Sequence, residues 1–221
     1  MSAAILALSP EHTLELGKTL GLVAKPGDVI LLTGELGAGK TQFTKGVALS
    51  LGVEQPVTSP TFNLVCEYQD AECSQNVLRH FDLYRLDREE ELEDIDYFGL
   101  LEDEVVSVVE WGDKFPEALP RDYLLVEFEY VNESTRALRY WAMGSNSAAL
   151  MDLFEEAAMG SGLVASGGMS GGAPAEVSDV APSEVSVGAP GGAPGGASSE
   201  APGGAPGGAS SEAPGGVNDE S

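Results

Sequence analysis

One octapeptide restricts the fold more than any other part of the chain. Gly34-Glu-Leu-Gly-Ala-Gly39-Lys40-Thr41 matches the pattern G-x-x-x-x-G-K-[ST] and lies between two segments of contrasting periodicity. Val29-Ile-Leu-Leu32, entered from the turn signal Lys25-Pro-Gly-Asp28, reads as a buried strand. After Lys40, the residues Phe43, Val47, Ala48 and Leu51 recur along one helical face up to Gly52, which suits a helix end. Strand, glycine loop and helix form the context in which this pattern makes a phosphate cradle. Glycines permit the backbone N–H groups of Gly37, Ala38, Gly39 and Lys40 to curl around an anion, and the helix N-terminus adds positive potential. Lys40 then brings a cation to the β- and γ-phosphates of a nucleotide, and the Thr41 hydroxyl supplies a ligand for Mg²⁺.

The remaining pattern predicts an α/β fold. Ala3 to Leu8 reads as a short strand, followed by a helix with Ser9 as its cap, Pro10 in its first turn and Leu16, Leu20 and Val23 along one face. Phe62 to Tyr68 and Val77 to Phe81 read as a hairpin-like pair of strands. Glu89 to Phe98 is predicted helical, Val105 to Val109 a buried strand ending at Glu110, and Tyr123 to Tyr130 with Ala137 to Met143 a closing hairpin. A last helix over roughly Ser147 to Met159 is expected to bury Leu150, Leu153 or Phe154. Early alternation and late hairpins imply a P-loop NTPase fold: a mixed, mainly parallel central sheet flanked by helices.

Composition divides the chain. All the Trp, Tyr and Phe residues lie at or before Phe154, whereas residues 160–221 are dominated by Gly, Ala, Pro, Ser and Glu. APGGAPGGASSE occupies Ala189 to Glu200 and again Ala201 to Glu212, a period that fits no solenoid repeat. Such a segment cannot bury enough apolar surface to offset chain entropy, so residues 1–159 are read as one P-loop domain and 160–221 as a disordered tail. The chain's net charge is −25; residues 1–159 carry 11 basic and 29 acidic residues, a net −18. Unaided capture of nucleic acid or an anionic membrane is therefore disfavoured. Met1 to Leu8 has no basic residue before its apolar stretch, and no apolar run approaches the ~20 residues of a membrane span. The two cysteines, Cys66 and Cys73, have neither CxxC spacing nor a nearby histidine. A cytoplasmic protein is expected.

Three further features bear on chemistry. A phosphate loop needs a carboxylate near its metal, usually at a strand end. Asp82 and Glu110 both qualify: Asp82 suits orienting a metal-bound water and Glu110 polarising the attacking water or sharing the metal shell, spacing alone leaves these roles open, and either could instead be a strand-end carboxylate that caps the next turn. Thr58-Ser-Pro-Thr-Phe62 lies one helix beyond the loop, where nucleotide switches place a hydroxyl facing the γ-phosphate, although a plain turn into a strand explains it equally. His80 on a strand reads as structural; Arg85 either stabilises transferred charge or pairs with the acidic run Glu89 to Glu93; Trp111 either stacks on a base or packs.

GELGAGKT, VTSPTFNLV, HFDLYRL from His80 to Leu86 and VVEWGDKF from Val108 to Phe115 occur together and in this order. In that combination the chain resembles the bacterial tRNA threonylcarbamoyladenosine biosynthesis ATPase family, TsaE, over most of residues 5 to 145. The resemblance implies a small ATPase that binds ATP and Mg²⁺. By the same resemblance it is expected to act with TsaD and TsaB subunits, after TsaC has made threonylcarbamoyl-AMP, and to support modification of adenosine 37 in tRNA, which it would contact indirectly through the complex. It further implies that Gly37, Ala38, Gly39 and Lys40 hold phosphates, that Thr41 and Asp82 serve the metal and that Glu110 is the hydrolytic carboxylate, also within metal reach. Lys40 and Asp82 join Glu110 in catalysis, Thr61 belongs to the switch-like loop, and Trp111 lies near the nucleotide. Gln42 departs from the family, which often has a second threonine there. A small-molecule kinase is the alternative, weakened by acidic rather than arginine-rich insertions. GTP specificity lacks an N-K-x-D segment. Arg79, Arg85, Arg88, Arg136 and Arg139 remain candidates for a local docking face.

Overall fold

A computed structural model describes residues 2–59, 64–73 and 75–164 of the chain. β1 (Ser2–Ala7) leads into Ser9, whose hydroxyl accepts a hydrogen bond from the His12 N–H at 3.2 Å. With Pro10 in the first turn, α1 (Pro10–Val23) begins where the sequence predicts. α1 packs on α2 (Lys40–Ser50), the helix that carries the phosphate loop. Gly17 and Gly46 face each other at this contact. A Cβ at Gly17 would come to 2.1 Å from the Phe43 carbonyl oxygen, and one at Gly46 to 2.1 Å from that of Leu14. Only hydrogen fits between the two backbones, so α1 holds the start of α2 closely from behind.

The other strands are β2 (Val29–Gly34), β3 (Val65–Gln69), β4 (Asn76–Asp82), β5 (Val106–Glu110), β6 (Tyr123–Tyr130) and β7 (Arg136–Met143). All seven form one sheet in the order β1-β7-β6-β2-β5-β4-β3. β6, β2, β5 and β4 run parallel at its centre, while β3 on one side and β7 with β1 on the other add antiparallel edges. The expected mixed α/β sheet is present, with its parallel part around the phosphate loop. Parallel strands need cover on both faces. On one face Ile30, Leu32 and Val108 meet Leu16, Leu20 and Phe43 of α1 and α2 together with Phe154 of α5 (Ser145–Gly160). On the other, Leu31, Phe81 and Val109 meet Leu92 of α3 (Glu91–Asp94), Tyr97 of α4 (Tyr97–Leu101) and Phe115.

One local expectation changes. The single helix predicted over Glu89 to Phe98 is two short ones, broken where Asp96 adopts φ 52°. Leu92 and Tyr97 are both fully buried, yet five residues apart on one helix they would point about 140° away from each other. The break lets both reach the core, and like charges along the acidic run weaken a continuous helix. In α5, Leu150 and Phe154 are buried and Leu153 faces outward. Asp122 caps that helix, accepting from the N–H groups of Asn146 and Ser147 at 2.8 Å each. Beyond Gly160, Leu163 and Val164 still pack against the core. Residues 165–221, which include the repeated segment of the expected tail, are outside the described residues. Among the described residues no helix is long and apolar enough to cross a membrane.

Gly46→Ala should lower stability by about 1–3 kcal/mol, because the added methyl must push the helix backbones apart. A urea midpoint unchanged from the parent would show that the α1–α2 contact is not tight.

Candidate active site

β2 ends in the phosphate loop, and the ends of the next two parallel strands line up beside it. Leu32 of β2 is paired with Glu110 of β5, and Glu110 with Asp82 of β4. Because alternate residues of a strand share a face, Asp82 and His80 point to the same side as Glu110, toward α2. The strand-end loops are tied to one another. Trp111 donates its N–H to the Leu32 carbonyl at 3.1 Å, Leu83 donates to that of Glu110 at 3.0 Å, and Lys114 Nζ donates to that of Tyr84 at 2.7 Å. Ligands of open α/β sheets settle outside the carboxyl ends of such strands.

A cavity of about 340 Å³ lies there. Gly37, Ala38, Gly39, Lys40 and Thr41 line it from the loop, and Ser59, Asp82, Tyr84, Arg85, Glu110 and Trp111 from the strand ends. Gly39 caps α2 with φ 110° and Gly37 has φ 77°, conformations that a side chain strains and that leave the loop N–H groups able to converge on an anion. From outside, Arg136 Nε donates to the Ala38 carbonyl at 3.2 Å and stacks on Tyr130, whose hydroxyl donates to the Leu36 carbonyl at 3.1 Å.

Lys40 is almost wholly buried. Its Nζ donates to the carbonyls of Gly34 at 2.6 Å and Glu35 at 2.9 Å and lies 3.9 Å from the centre of the Trp111 ring. Burial pushes the ammonium below the ordinary lysine range, while Glu110, Asp82 and Asp113 nearby pull it back up. Burial in turn raises the Asp113 carboxyl, against the pull of Lys40 and Lys114. Trp111 itself has φ 65°, a left-handed conformation unusual for a bulky residue, and it is wedged between Lys40 and the Tyr84 ring, 5.0 Å away.

The two carboxylates are held differently. Asp82 accepts from the Ser59 hydroxyl and from the Tyr84 N–H at 3.1 Å. Glu110 is only 3% exposed. Its Oε2 accepts from the Thr41 hydroxyl at 3.2 Å, and its Oε1 lies 2.9 Å from His80 Nε2. The loop, its threonine, both carboxylates and Trp111 thus come together as the sequence suggests. Thr61 lies outside the described residues, and the hydroxyl of the same segment that meets Asp82 is that of Ser59. From the sequence Ser59 carries no assigned role and His80 reads as structural; its spacing of two from Asp82 on a strand is the signal that links it to the site. Arg85 lines the cavity. Arg79 belongs to no docking face: it is buried, and its guanidinium pairs with Glu67 and Asp103.

A family model described as threonylcarbamoyl adenosine biosynthesis protein TsaE matches residues 7–138, a span that holds the loop and both carboxylates. The chain belongs to the TsaE family. It is 38% identical over 138 residues to the tRNA threonylcarbamoyladenosine biosynthesis protein TsaE of Bacillus subtilis, covering 62% of this chain and 84% of that one. The TsaE protein of Mycobacterium bovis is 41% identical over 140 residues, covering 61% and 83%. The crystal structure of Bacillus subtilis YdiB aligns with a TM-score of 0.58 and 31% identity, over 71% of this chain and 95% of the other. TsaE family membership places the chain in tRNA threonylcarbamoyladenosine biosynthesis.

Gly39→Ala tests the loop directly. A Cβ there finds room, with Thr13 Cγ2 at 3.6 Å as its nearest neighbour, so the cost is conformational. At about 1–3 kcal/mol for the strained dihedral, pyrophosphate affinity measured by calorimetry should fall roughly 5- to 150-fold. Unchanged affinity would mean that the loop does not bind the anion.

Proposed function

We propose that the chain is a Mg²⁺-dependent ATPase, acting in the cytoplasm with TsaD and TsaB during threonylcarbamoyl modification of adenosine 37 in tRNA. The observation that carries this reading is the register of Asp82 beside Glu110 at the mouth of the phosphate loop, with the Thr41 hydroxyl on the Glu110 carboxylate. A bare nucleotide-binding module has no need of two carboxylates aimed at its phosphate site. The donor set fits Mg²⁺, which takes one or two carboxylates and relies on phosphate oxygens and water for the rest of its shell. Asp82 and the Thr41 hydroxyl are the ligands proposed, with Glu110 within reach. When bound, the ion neutralises charge on the β- and γ-phosphate oxygens.

The chain's own residues supply the remaining work. The N–H groups of Gly37, Ala38, Gly39 and Lys40 receive the phosphates at the N-terminus of α2. The Lys40 ammonium exchanges its two loop carbonyls for phosphate oxygens, a stronger, charge-assisted pairing. Trp111 flanks Lys40 and limits water on that side. Glu110 accepts a hydrogen bond from the attacking water and aligns it with the γ-phosphorus, a positioning role that suits phosphoryl transfer. Two free thiols, Cys66 and Cys73, agree with a reducing compartment. The net charge of −25 leaves the principal contact with tRNA to the partner subunits.

With TsaD and TsaB present, ATP should yield ADP and inorganic phosphate only when Mg²⁺ is supplied, and Lys40→Ala should abolish the release. Glu110→Ala should lower kcat by roughly 10²- to 10³-fold with a much smaller effect on nucleotide affinity, as expected of a group acting mainly in the transition state. Equal loss of both would reassign Glu110 to binding. A phosphorylated acceptor formed in step with ADP would instead make the protein a kinase.

A further inference from the structure

His80 is fully buried in β4, and its ring lies directly behind Glu110 rather than in the cavity. The geometry points to His80 as a positioning residue, one that fixes the Glu110 carboxylate through an Nε2–H hydrogen bond to Oε1 and so leaves Oε2 to face Thr41 and the cavity. This inference rests on the proposed hydrolytic role of Glu110.

The donors around Glu110 are not equivalent. The Thr44 hydroxyl lies 3.4 Å from Oε1 but 3.1 Å from the Lys40 carbonyl, and its single proton favours the closer helical acceptor. The Thr41 hydroxyl reaches Oε2 at 3.2 Å, yet its oxygen is the group that the proposed metal would engage. His80, at 2.9 Å, is the shortest contact of the three and does not depend on what occupies the cavity. The far ring nitrogen fits this assignment. Nδ1 is buried without a hydrogen-bond partner among the described residues. A proton there would be an unpaired buried donor, so a proton on Nε2, facing the acceptor carboxylate, is the arrangement that leaves no donor unmatched. The strand register makes the arrangement rigid. His80 is paired with Val108, and Asp82 with Glu110, so β4 presents the imidazole and the second carboxylate on one face, one pleat apart. A carboxylate held on a rigid strand by a second side chain keeps the alignment with an attacking water that a free rotamer would lose, and misplacement by about 1 Å is worth on the order of 10²-fold in rate.

The test uses the full chain with its partners. His80→Leu removes the donor at similar bulk, whereas His80→Gln can still present an N–H near the same place. His80→Leu should lower kcat roughly 10- to 100-fold with nucleotide affinity unchanged, and His80→Gln should recover much of the loss. In a Glu110→Ala background His80→Leu should cost nothing further, because its effect runs through that carboxylate. An independent readout comes from long-range ¹H–¹⁵N spectra of the imidazoles. The chain has two histidines, His12 and His80, so the signals separate readily. The His80 ring should show the Nε2–H tautomer and shift on Glu110→Ala, while His12 stays in place. A folded His80→Leu variant with parental kcat, or a His80 spectrum indifferent to Glu110→Ala, would overturn the inference. If the parent hydrolysed no ATP, the proposed function would fall, and the spectra would still decide whether the hydrogen bond exists.

Discussion

Burying an ionised carboxylate among packed strands is costly unless donors meet its oxygens, and the cost rises to several kcal/mol when a donor is lost. The Glu110 carboxyl is buried at the end of β5, one of the parallel strands, and its partners come from the two elements that must be aligned for the proposed phosphate chemistry. Thr41 belongs to the phosphate loop and the first turn of α2; His80 belongs to β4, whose end carries Asp82. Satisfying one acceptor therefore sets the distance between loop and sheet. The rest of the molecule supports that contact. The parallel pairing of β4, β5 and β2 fixes the height of the carboxylates, and the glycine contact of α1 with α2 fixes the threonine.

The loop carries its own compensation. A buried lysine without an anion needs acceptors, and Lys40 finds two loop carbonyls and the face of Trp111. These are interactions that the proposed polyphosphate ligand would replace, and the loop N–H groups are already set for it. Trp111 is strained at φ 65° yet held by Lys40 and Tyr84, an example of local strain persisting where neighbours over-determine it.

Much of this was legible in the residues. The glycine pattern between a strand and a helix locates the cradle because its dihedral and electrostatic demands are local. Both carboxylates were visible as strand ends because an apolar run followed by Asp or Glu is also a local signal. Their pairing was not, since register between β4 and β5 depends on non-local contacts across the sheet. For the same reason His80 looked like an ordinary strand histidine: its partner is 30 residues away. The broken helix at Asp96 shows the other limit. Acidic, helix-compatible residues suggested continuity, and the need to bury both Leu92 and Tyr97 prevailed over propensity.

Calorimetric titration of the folded chain with ATP, with and without Mg²⁺, bears most directly on the central claim that this cradle and its two carboxylates form one nucleotide site. The account predicts saturable binding at a single site that tightens when Mg²⁺ is added. Absence of saturable binding, or affinity indifferent to Mg²⁺, would contradict it.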